Sequence, residues 1–254
     1  MVNPRWVFDR KEAKKAKGIV GVDEAGRGCL AGPVVAGAVI LPSAFFQQAK
    51  NRKKTRDIND SKQFDEPKRE FFYDLVCKLG EEGELFWGVG TASVEEIEQE
   101  NIVGATCLAM ARAMEQASTR SGGLWMPVPK PDENLFEQAP RREEADWVVR
   151  VDGRPMRRLP YDHQGLVKGD TLSIAVAMAS MMAKVTRDRH LRALALDFPA
   201  YDFSSNKGYG SPKHLAALKE FGPTLHHRPR FLGNILSAAS SADKSSQQSQ
   251  LSFD

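Results

Sequence analysis

The sequence predicts an α/β domain built on a mixed sheet, and the order of its β-branched and helical segments supports that class. Three short β-branched runs come first, at 18–24, 34–41 and 85–92. Two strand–helix units follow, with their strands at 147–151 and 163–167. Hairpin strands pair antiparallel, whereas strands joined through a helix pair in parallel, so the expected sheet is mixed. A chain of 254 residues can bury the core that such a layered domain needs.

The first two strands are predicted to form a hairpin. The run GIVGVDE ends in Asp23 and Glu24, and the run VVAGAVIL begins at Val34. The segment between them, 25–33, is rich in glycine, which is typical of a turn that joins paired strands.

Further segments show helical signals. Residues 66–79 carry apolar side chains at helical spacing and are followed by Gly80, a common helix stop. Ser93, with Glu96 three residues later, is a capping box that opens a long helix. Residues 173–187 are small and almost wholly apolar, which predicts a buried helix, and 211–221 form a further helix.

The composition divides the chain into a basic N-terminal segment at 1–17, one folded domain at 18–236 and a tail at 237–254. The tail consists mainly of Ser, Gln, Ala and Asp, a composition that cannot bury enough apolar surface to order itself. Within the domain, 121–146 is a long proline-rich stretch of mixed charge, which predicts a mobile surface insertion.

Composition and cysteine usage favour a cytoplasmic protein. Hydrophobic residues make up 41% of the chain and charged residues 27%, which is ordinary for a globular protein. Cys29, Cys77 and Cys107 are odd in number and too widely spaced for a zinc site, so we expect a reducing compartment. No apolar run has the length that spans a bilayer. We therefore expect a soluble, unexported protein.

Basic residues cluster locally, although the formal net charge is only +3. The runs lie at 11–17, 52–56 and 154–158. Each run is most simply a solvated surface, and together they favour a phosphate-binding face only modestly.

Acidic residues fall at the ends of strands that an α/β sheet brings together: Asp23, Glu24, Asp152 and Asp170. Side chains alternate along a strand, so Asp23 and Glu24 face the same way only if the glycine-rich turn relaxes that alternation. Converging carboxylates repel one another unless a cation lies between them. Oxygen ligands without His or Cys favour Mg²⁺ or Mn²⁺, and two such ions can support phosphodiester hydrolysis. Acids at strand ends are also common in proteins that bind no metal, so this pattern alone does not decide the function.

A dinucleotide-binding site is the competing interpretation of the same loop. Residues 26–31, GRGCLA, fit the G-x-G-x-x-A fingerprint that follows a strand. That fingerprint needs a helix to begin at the loop, so that helix amides hold the pyrophosphate. Here Pro33 and a β-branched run follow, and two carboxylates precede the loop. We reject the nucleotide interpretation for these reasons.

Several motifs, in order along the chain, closely resemble the type 2 ribonucleases H, and ribonuclease HII in particular. They are GVDEAGRGCLAGPVVAGAVIL at 21–41, DINDSKQF at 57–64, VEEIEQENIVGATCLAMARAM at 94–114, VDG at 151–153, KGD at 168–170, SIAVAMASMMAKVTRDR at 173–189, KGYGSPKH at 207–214 and FGPTLHHRPRF at 221–231. The resemblance runs from about Gly18 to Leu232. It departs from the usual family pattern at Cys29 and Ser211, where we expect proline and threonine, and the 121–146 insertion is longer than usual.

The resemblance implies a ribonuclease H-like fold, with a five-stranded mixed sheet flanked by helices and a C-terminal helical extension. It also implies an endonuclease that hydrolyses the RNA strand of RNA–DNA hybrids and cuts 5′ to ribonucleotides embedded in duplex DNA. The expected mechanism uses two Mg²⁺ or Mn²⁺ ions and leaves 3′-hydroxyl and 5′-phosphate ends. Expected roles are removal of ribonucleotides from DNA and removal of RNA primers, by a protein that acts as a monomer.

By motif match, the metal-binding and catalytic acids are Asp23, Glu24, Asp152 and Asp170. The match assigns recognition of the 2′-hydroxyl to the backbone of Gly26, Arg27 and Gly28, and stacking on the next sugar to Tyr209. Phosphate contacts are expected from Lys62, Lys184, His227 and Arg228, for which simple surface placement is nearly as good an explanation.

Two other functions compete with this one. Ribonuclease HIII resembles the same fold but carries an added N-terminal domain, for which the residues before Gly18 are too few. A catalytically silent nucleic-acid-binding module is disfavoured by the full acid set, because acids near phosphate weaken binding unless metal ions offset them. Binding of hybrid in the presence of a chelator separates the module from the enzyme.

The end of the tail carries one further pattern. Gln248, Leu251 and Phe253 form a Q-x-x-L-x-F sequence, which looks like the peptide that bacterial sliding clamps accept. Two apolar residues in a short tail also arise by chance. The resemblance predicts a sliding clamp as a partner, bound through a flexible tether.

Overall fold

The computed structural model describes residues 2–130 and 147–233. The strands are β1 Gly18–Ala25, β2 Val34–Pro42, β3 Phe86–Ala92, β4 Val148–Asp152 and β5 Gln164–Leu166. The α-helices are α1 Pro4–Ala13, α2 Ala49–Lys54, α3 Glu66–Glu81, α4 Val94–Arg120, α5 Gly169–Leu172, α6 Ile174–Asp197, α7 Phe203–Asn206 and α8 Pro212–Phe221. Residues 131–146 of the predicted insertion and the predicted tail at 237–254 lie outside the described residues.

The five strands form one mixed sheet in the order β3-β2-β1-β4-β5. The predicted hairpin is confirmed, because β1 pairs antiparallel with β2, and β2 pairs antiparallel with β3. The two later strands are parallel: β4 pairs with β1, and β5 pairs with β4. The carboxyl ends of β1 and β4 therefore lie side by side at the same end of the sheet.

Helices cover both faces of this sheet. On one face α6, α3 and α1 pack on Ile19, Val39 and Leu41 of the first two strands. On the other face α4 packs on Val20 and Val22 and on the alternating residues of β2. Helix α6 lies so close to β1 that a Cβ atom at Gly21 would be 2.2 Å from the backbone of Ala175. Glycine at this position lets α6 reach the carboxyl end of β1.

The C-terminal part of α6, together with α7 and α8, forms a C-terminal helical extension. Leu30 and Ala31, from the loop between β1 and β2, share a buried cluster with Leu191, Phe203 and Leu218 of these helices. The predicted helical extension is therefore confirmed, and it packs directly on the glycine-rich loop.

Several local predictions agree with the structure, and others need revision. The capping box is confirmed, since the Ser93 hydroxyl accepts from the Glu96 amide while the Glu96 carboxylate accepts from the Ser93 amide. Helix α6 begins after Ser173 but continues to Asp197, ten residues beyond the predicted end at Arg187. The extra turns exist because Leu191 and Leu194 are buried against the helical extension.

The insertion that was predicted to be mobile is folded where the structure describes it, and so is the basic N-terminal segment. The basic N-terminal segment forms α1, which Asn3 caps by accepting from the Arg5 amide at 3.0 Å. In residues 121–130 of the insertion, Trp125 is buried in the core against α4. Among the described residues, no helix is long and apolar enough to cross a membrane.

Candidate active site

Three carboxylates meet at the end of the sheet where the carboxyl termini of β1 and β4 lie side by side. One oxygen from each of Asp23, Asp152 and Asp170 lies within 4.8 Å of the other two. Asp23 and Asp152 stand near the ends of parallel neighbouring strands, so strand pairing alone brings them together. Asp170 belongs to α5, where the Gly169 amide donates to Asp152 Oδ1 at 2.6 Å. The cluster is thus assembled by strand pairing and one short helical turn.

The charges of this cluster are held in an unfavourable environment. Asp23 and Asp170 expose only 4% and 5% of their surface. Burial raises the pKa of Asp23 well above its usual value, and repulsion from Glu24 and Asp152 adds to the rise. Burial likewise raises the pKa of Asp152. A divalent cation would remove the repulsion, and a donor set made only of carboxylate oxygens suits a hard cation, so these residues fit a divalent metal ion.

Glu24 lies beside the cluster, so the structure brings three of the four predicted acids together. Its carboxylate accepts from Arg27 Nη1 at 3.1 Å. The alternation of side chains along β1 explains why Glu24 lies outside the cluster, since Asp23 faces α6 and Glu24 faces the opposite side of the sheet. Burial nevertheless raises the pKa of Glu24, against the opposing effect of Arg27.

The two predicted lysine contacts occupy different surroundings. Lys62 Nζ lies 3.2 Å from Asp170 Oδ2, and its side chain is 73% exposed at the rim of the cluster. The turn that carries Lys62 is held by Asp60, whose carboxylate accepts from the Lys62 amide at 2.9 Å. Lys184 instead pairs with Asp188 on α6 at 2.8 Å.

The glycine-rich loop after β1 is joined to the turn that carries Tyr209. Gly26 has a φ of +92°, which favours glycine, and the Leu30 amide donates to the carbonyl of Gly208 at 2.8 Å. Tyr209 is 47% exposed, as its flanking glycines predict. The loop leads into β2 and not into a helix, which agrees with the rejection of a dinucleotide site.

The structure contradicts direct phosphate contact by His227 and Arg228. His227 is 2% exposed and its Nε2 lies 3.0 Å from Nε2 of His214, while burial lowers its pKa to about 4. Arg228 is fully buried and donates to the carbonyls of Gly32 at 2.9 Å and Arg27 at 3.0 Å. Both side chains lie beneath the loop instead of facing a substrate, because the extension covers them.

Sequence reasoning missed Arg187, which lies under the same loop. Its guanidinium donates to the carbonyls of Pro33 at 2.9 Å, Lys207 at 2.8 Å and Ala31 at 2.9 Å. The side chain therefore connects the glycine-rich loop to the Tyr209 turn from below. A charged residue within the almost wholly apolar run of α6 was the signal that could have indicated it.

The comparisons with known proteins agree with this fold and show the family. The family model described as Ribonuclease HII matches residues 20–134 and 148–233. This chain belongs to the ribonuclease HII family. Ribonuclease HII of Cupriavidus necator is 42% identical over 90% of this chain and 82% of that protein. Ribonuclease HII of Ralstonia pickettii is 43% identical over 86% of this chain and 80% of that protein. As a member of the ribonuclease HII family, the chain is a metal-dependent endoribonuclease that acts on RNA–DNA hybrids.

Solved structures with the ribonuclease HII fold resemble this one. A PCNA:RNase HII complex from Archaeoglobus fulgidus has a TM-score of 0.59 and 22% identity, over 85% of this chain and 96% of that chain. Ribonuclease H2 from Pyrococcus horikoshii has a TM-score of 0.57 and 24% identity, over 87% of this chain and 98% of that chain. At these identities the likeness concerns the fold, and it confirms the predicted ribonuclease H-like architecture.

Proposed function

We propose that this enzyme cuts on the 5′ side of ribonucleotides embedded in duplex DNA, as well as within the RNA strand of hybrids. The proposed reaction is hydrolysis with two divalent ions, Mg²⁺ or Mn²⁺, and leaves 3′-hydroxyl and 5′-phosphate ends. The observation that carries the proposal is the position of three clustered carboxylates, two of them buried, beside a glycine-rich loop. Such an activity would serve ribonucleotide removal from DNA and removal of RNA primers.

The acids are proposed to hold the metal ions, with Asp23, Asp152 and Asp170 as the main ligands and Glu24 joining them. When bound, two divalent ions activate the attacking water and stabilise the leaving oxygen. Asp152 has a second task, because its Oδ1 also accepts from the Gly169 amide and so fixes the turn that carries Asp170. Glu24 becomes available as a ligand if Arg27 releases it.

Substrate recognition is proposed for the loop and turn that lie beside the acids. A Cβ atom built on Gly28 meets nothing within 4 Å, so the backbone there is open to a close approach by a sugar. Tyr209 presents an exposed ring for stacking on the following deoxyribose. Lys62, at the rim, is the proposed phosphate contact, while Lys184 remains a weaker candidate because Asp188 already holds it.

The test uses a labelled DNA duplex with one ribonucleotide in one strand. We expect cleavage on the 5′ side of that ribonucleotide in Mg²⁺ or Mn²⁺, with 3′-hydroxyl and 5′-phosphate products. No cleavage is expected in EDTA, or with the same duplex made entirely of deoxynucleotides. The Asp170→Asn variant, purified in parallel, controls for contaminating nucleases.

Two outcomes would contradict this proposal. A 2′,3′-cyclic phosphate product would mean that the 2′-oxygen had attacked the phosphate, so that hydrolysis by water was wrong. Binding of the hybrid without cleavage, at the same affinity in EDTA and in Mg²⁺, would indicate a silent nucleic-acid-binding module.

We also propose that the C-terminal residues bind a sliding clamp through Leu251 and Phe253, with a polar contact from Gln248. The support is the Q-x-x-L-x-F sequence, which lies outside the described residues. The affinity should be weak, because ordering a free peptide costs conformational entropy. We expect the 245–254 peptide to bind a cognate clamp, and a peptide with Leu251→Ala and Phe253→Ala to lose that binding. Equal binding by both peptides, or by neither, would leave the tail without this role.

A further inference from the structure

Helix α1 lies before the region that the family model matches, which begins at residue 20. It is nevertheless fixed in the fold by its own buried residues. Trp6 is 2% exposed, and its ring centroid lies 5.2 Å from that of Phe45 and 5.1 Å from that of Phe46. This anchor holds one face of α1 against the layer that also contains α6.

Polar residues of α1 contact the segment that carries Asp170, both at that residue and just after it. Arg5 Nε donates to the backbone carbonyl of Asp170 at 2.9 Å. Asp9 is buried, and its Oδ2 accepts from the Ser173 hydroxyl at 3.0 Å and from the Ala175 amide at 2.8 Å. A carboxylate at the N-terminus of α6 is also favoured by the helix dipole. The turn between β5 and α6 is therefore fixed from outside by α1.

The same helix reaches the other two elements around the cluster. Asn3 Nδ2 donates to the carbonyl of Ile58 at 2.8 Å, just before the turn that carries Lys62. Glu12 forms an ion pair with Arg150, which stands two residues before Asp152 on β4. Because side chains alternate along a strand, Arg150 and Asp152 share one face of the sheet.

We propose that α1 is a positioning element of the metal site, with Arg5 as the residue that sets the position of Asp170. This inference rests on the proposed function, because it concerns the acids that would hold the ions. Arg5 donates to the backbone carbonyl of Asp170 and not to its carboxylate. It acts through the backbone of Asp170, as groups that hold metal ligands in place generally do. Removing its side chain leaves Trp6, Asn3 and Asp9 to keep α1 docked.

The experiment compares full-length Arg5→Ala with Arg10→Ala, which removes the same charge from an exposed position of the same helix. Mn²⁺ binding is measured by isothermal titration calorimetry without nucleic acid. Hybrid affinity is measured in EDTA, and unfolding is followed by circular dichroism. We expect Arg5→Ala to weaken Mn²⁺ binding by about tenfold, at the lower end for groups that hold metal ligands, because its contact is with a carbonyl. The metal concentration for half-maximal cleavage should rise in parallel, while hybrid affinity and the Arg10→Ala variant stay unchanged.

The outcomes separate this inference from the proposed function. Unchanged Mn²⁺ affinity in Arg5→Ala, or an equal loss in Arg10→Ala, would overturn the positioning role. A wild-type protein that binds no Mn²⁺ and cuts no hybrid would overturn the proposed function itself. If Arg5→Ala unfolds, Arg5→Lys, which keeps one donor near the Asp170 carbonyl, should fold and recover part of the lost affinity. An Arg5→Lys protein that is folded and binds Mn²⁺ as tightly as wild type, with a wild-type metal requirement for cleavage, would also overturn the inference.

Discussion

Replacing Asp170 by asparagine is expected to slow metal-dependent cleavage by about a thousandfold, which corresponds to roughly 4 kcal/mol of transition-state stabilisation. Asparagine keeps the size of the side chain but removes the charge of one of three oxygens that lie within 4.8 Å of one another. Asp152→Asn should have a similar effect, although its side-chain oxygen can still accept from the Gly169 amide. Binding of the hybrid, measured without metal, should persist in both variants. Single-turnover cleavage of a labelled hybrid gives the rate.

Asp74→Asn is the matched control, because that carboxylate is 73% exposed and lies on α3, away from the acid cluster. It should cut at the wild-type rate. Near-normal rates in both Asp170→Asn and Asp152→Asn would mean that the acid cluster is not the catalytic site. A loss of folding can be recognised by circular dichroism and is not expected for Asp170→Asn, since the Lys62 side chain that it leaves unpaired is well exposed.

Substituting alanine at Gly26 and at Gly28 should have very different effects on stability. A Cβ atom at Gly26 would lie 2.0 Å from Nε of Arg187, and the φ of +92° is unfavourable for alanine. We expect Gly26→Ala to lower the free energy of unfolding by about 2–4 kcal/mol, because backbone strain and displacement of a buried guanidinium add together. Cleavage should fall with it, since the same guanidinium holds the Tyr209 turn. Urea unfolding measures the stability change.

Gly28→Ala separates substrate contact from folding. The added methyl group would meet nothing within 4 Å in the protein, so stability should change by less than about 0.5 kcal/mol. Cleavage at a single ribonucleotide should fall by at least about tenfold, because the methyl group would occupy space that the ribose needs. Wild-type cleavage by Gly28→Ala would show that the sugar does not approach this backbone. Wild-type stability of Gly26→Ala would show that Arg187 does not pack beneath it.

The features that sequence predicted well are those that depend on neighbouring residues. The hairpin around Gly26, the capping box at Ser93 and the acids Asp23 and Asp152 each follow from a local pattern of periodicity or strand ends. A feature that has no local pattern could not be predicted in this way. Nothing in the helical sequence of α4 indicates the kink at Asn101, whose φ is 56°.

The features that sequence missed depend on contacts between distant segments. Helix α1 looked like a basic surface segment, because its stabilising partners, such as Phe45 and Ser173, lie far away in the chain. Charge predicts exposure, so Arg228 was expected at the surface, although its Nε and Nη1 donate to carbonyls of the loop in the interior. Glu24 illustrates a subtler case, since its ion pair with Arg27 depends on a loop conformation that the sequence does not specify.

The three hydrogen bonds of Arg187 all go to backbone carbonyls. Because the acceptors are backbone atoms, these bonds do not depend on which side chains the loop carries. Residues 31, 33 and 207 can be exchanged without removing a single acceptor, because every residue type brings the same carbonyl. Arg187 itself cannot be exchanged in this way, since lysine has no planar fork that reaches three acceptors in different directions. Changes of side chain at residues 31, 33 and 207 therefore leave the hydrogen bonds that hold the backbone of the loop in place.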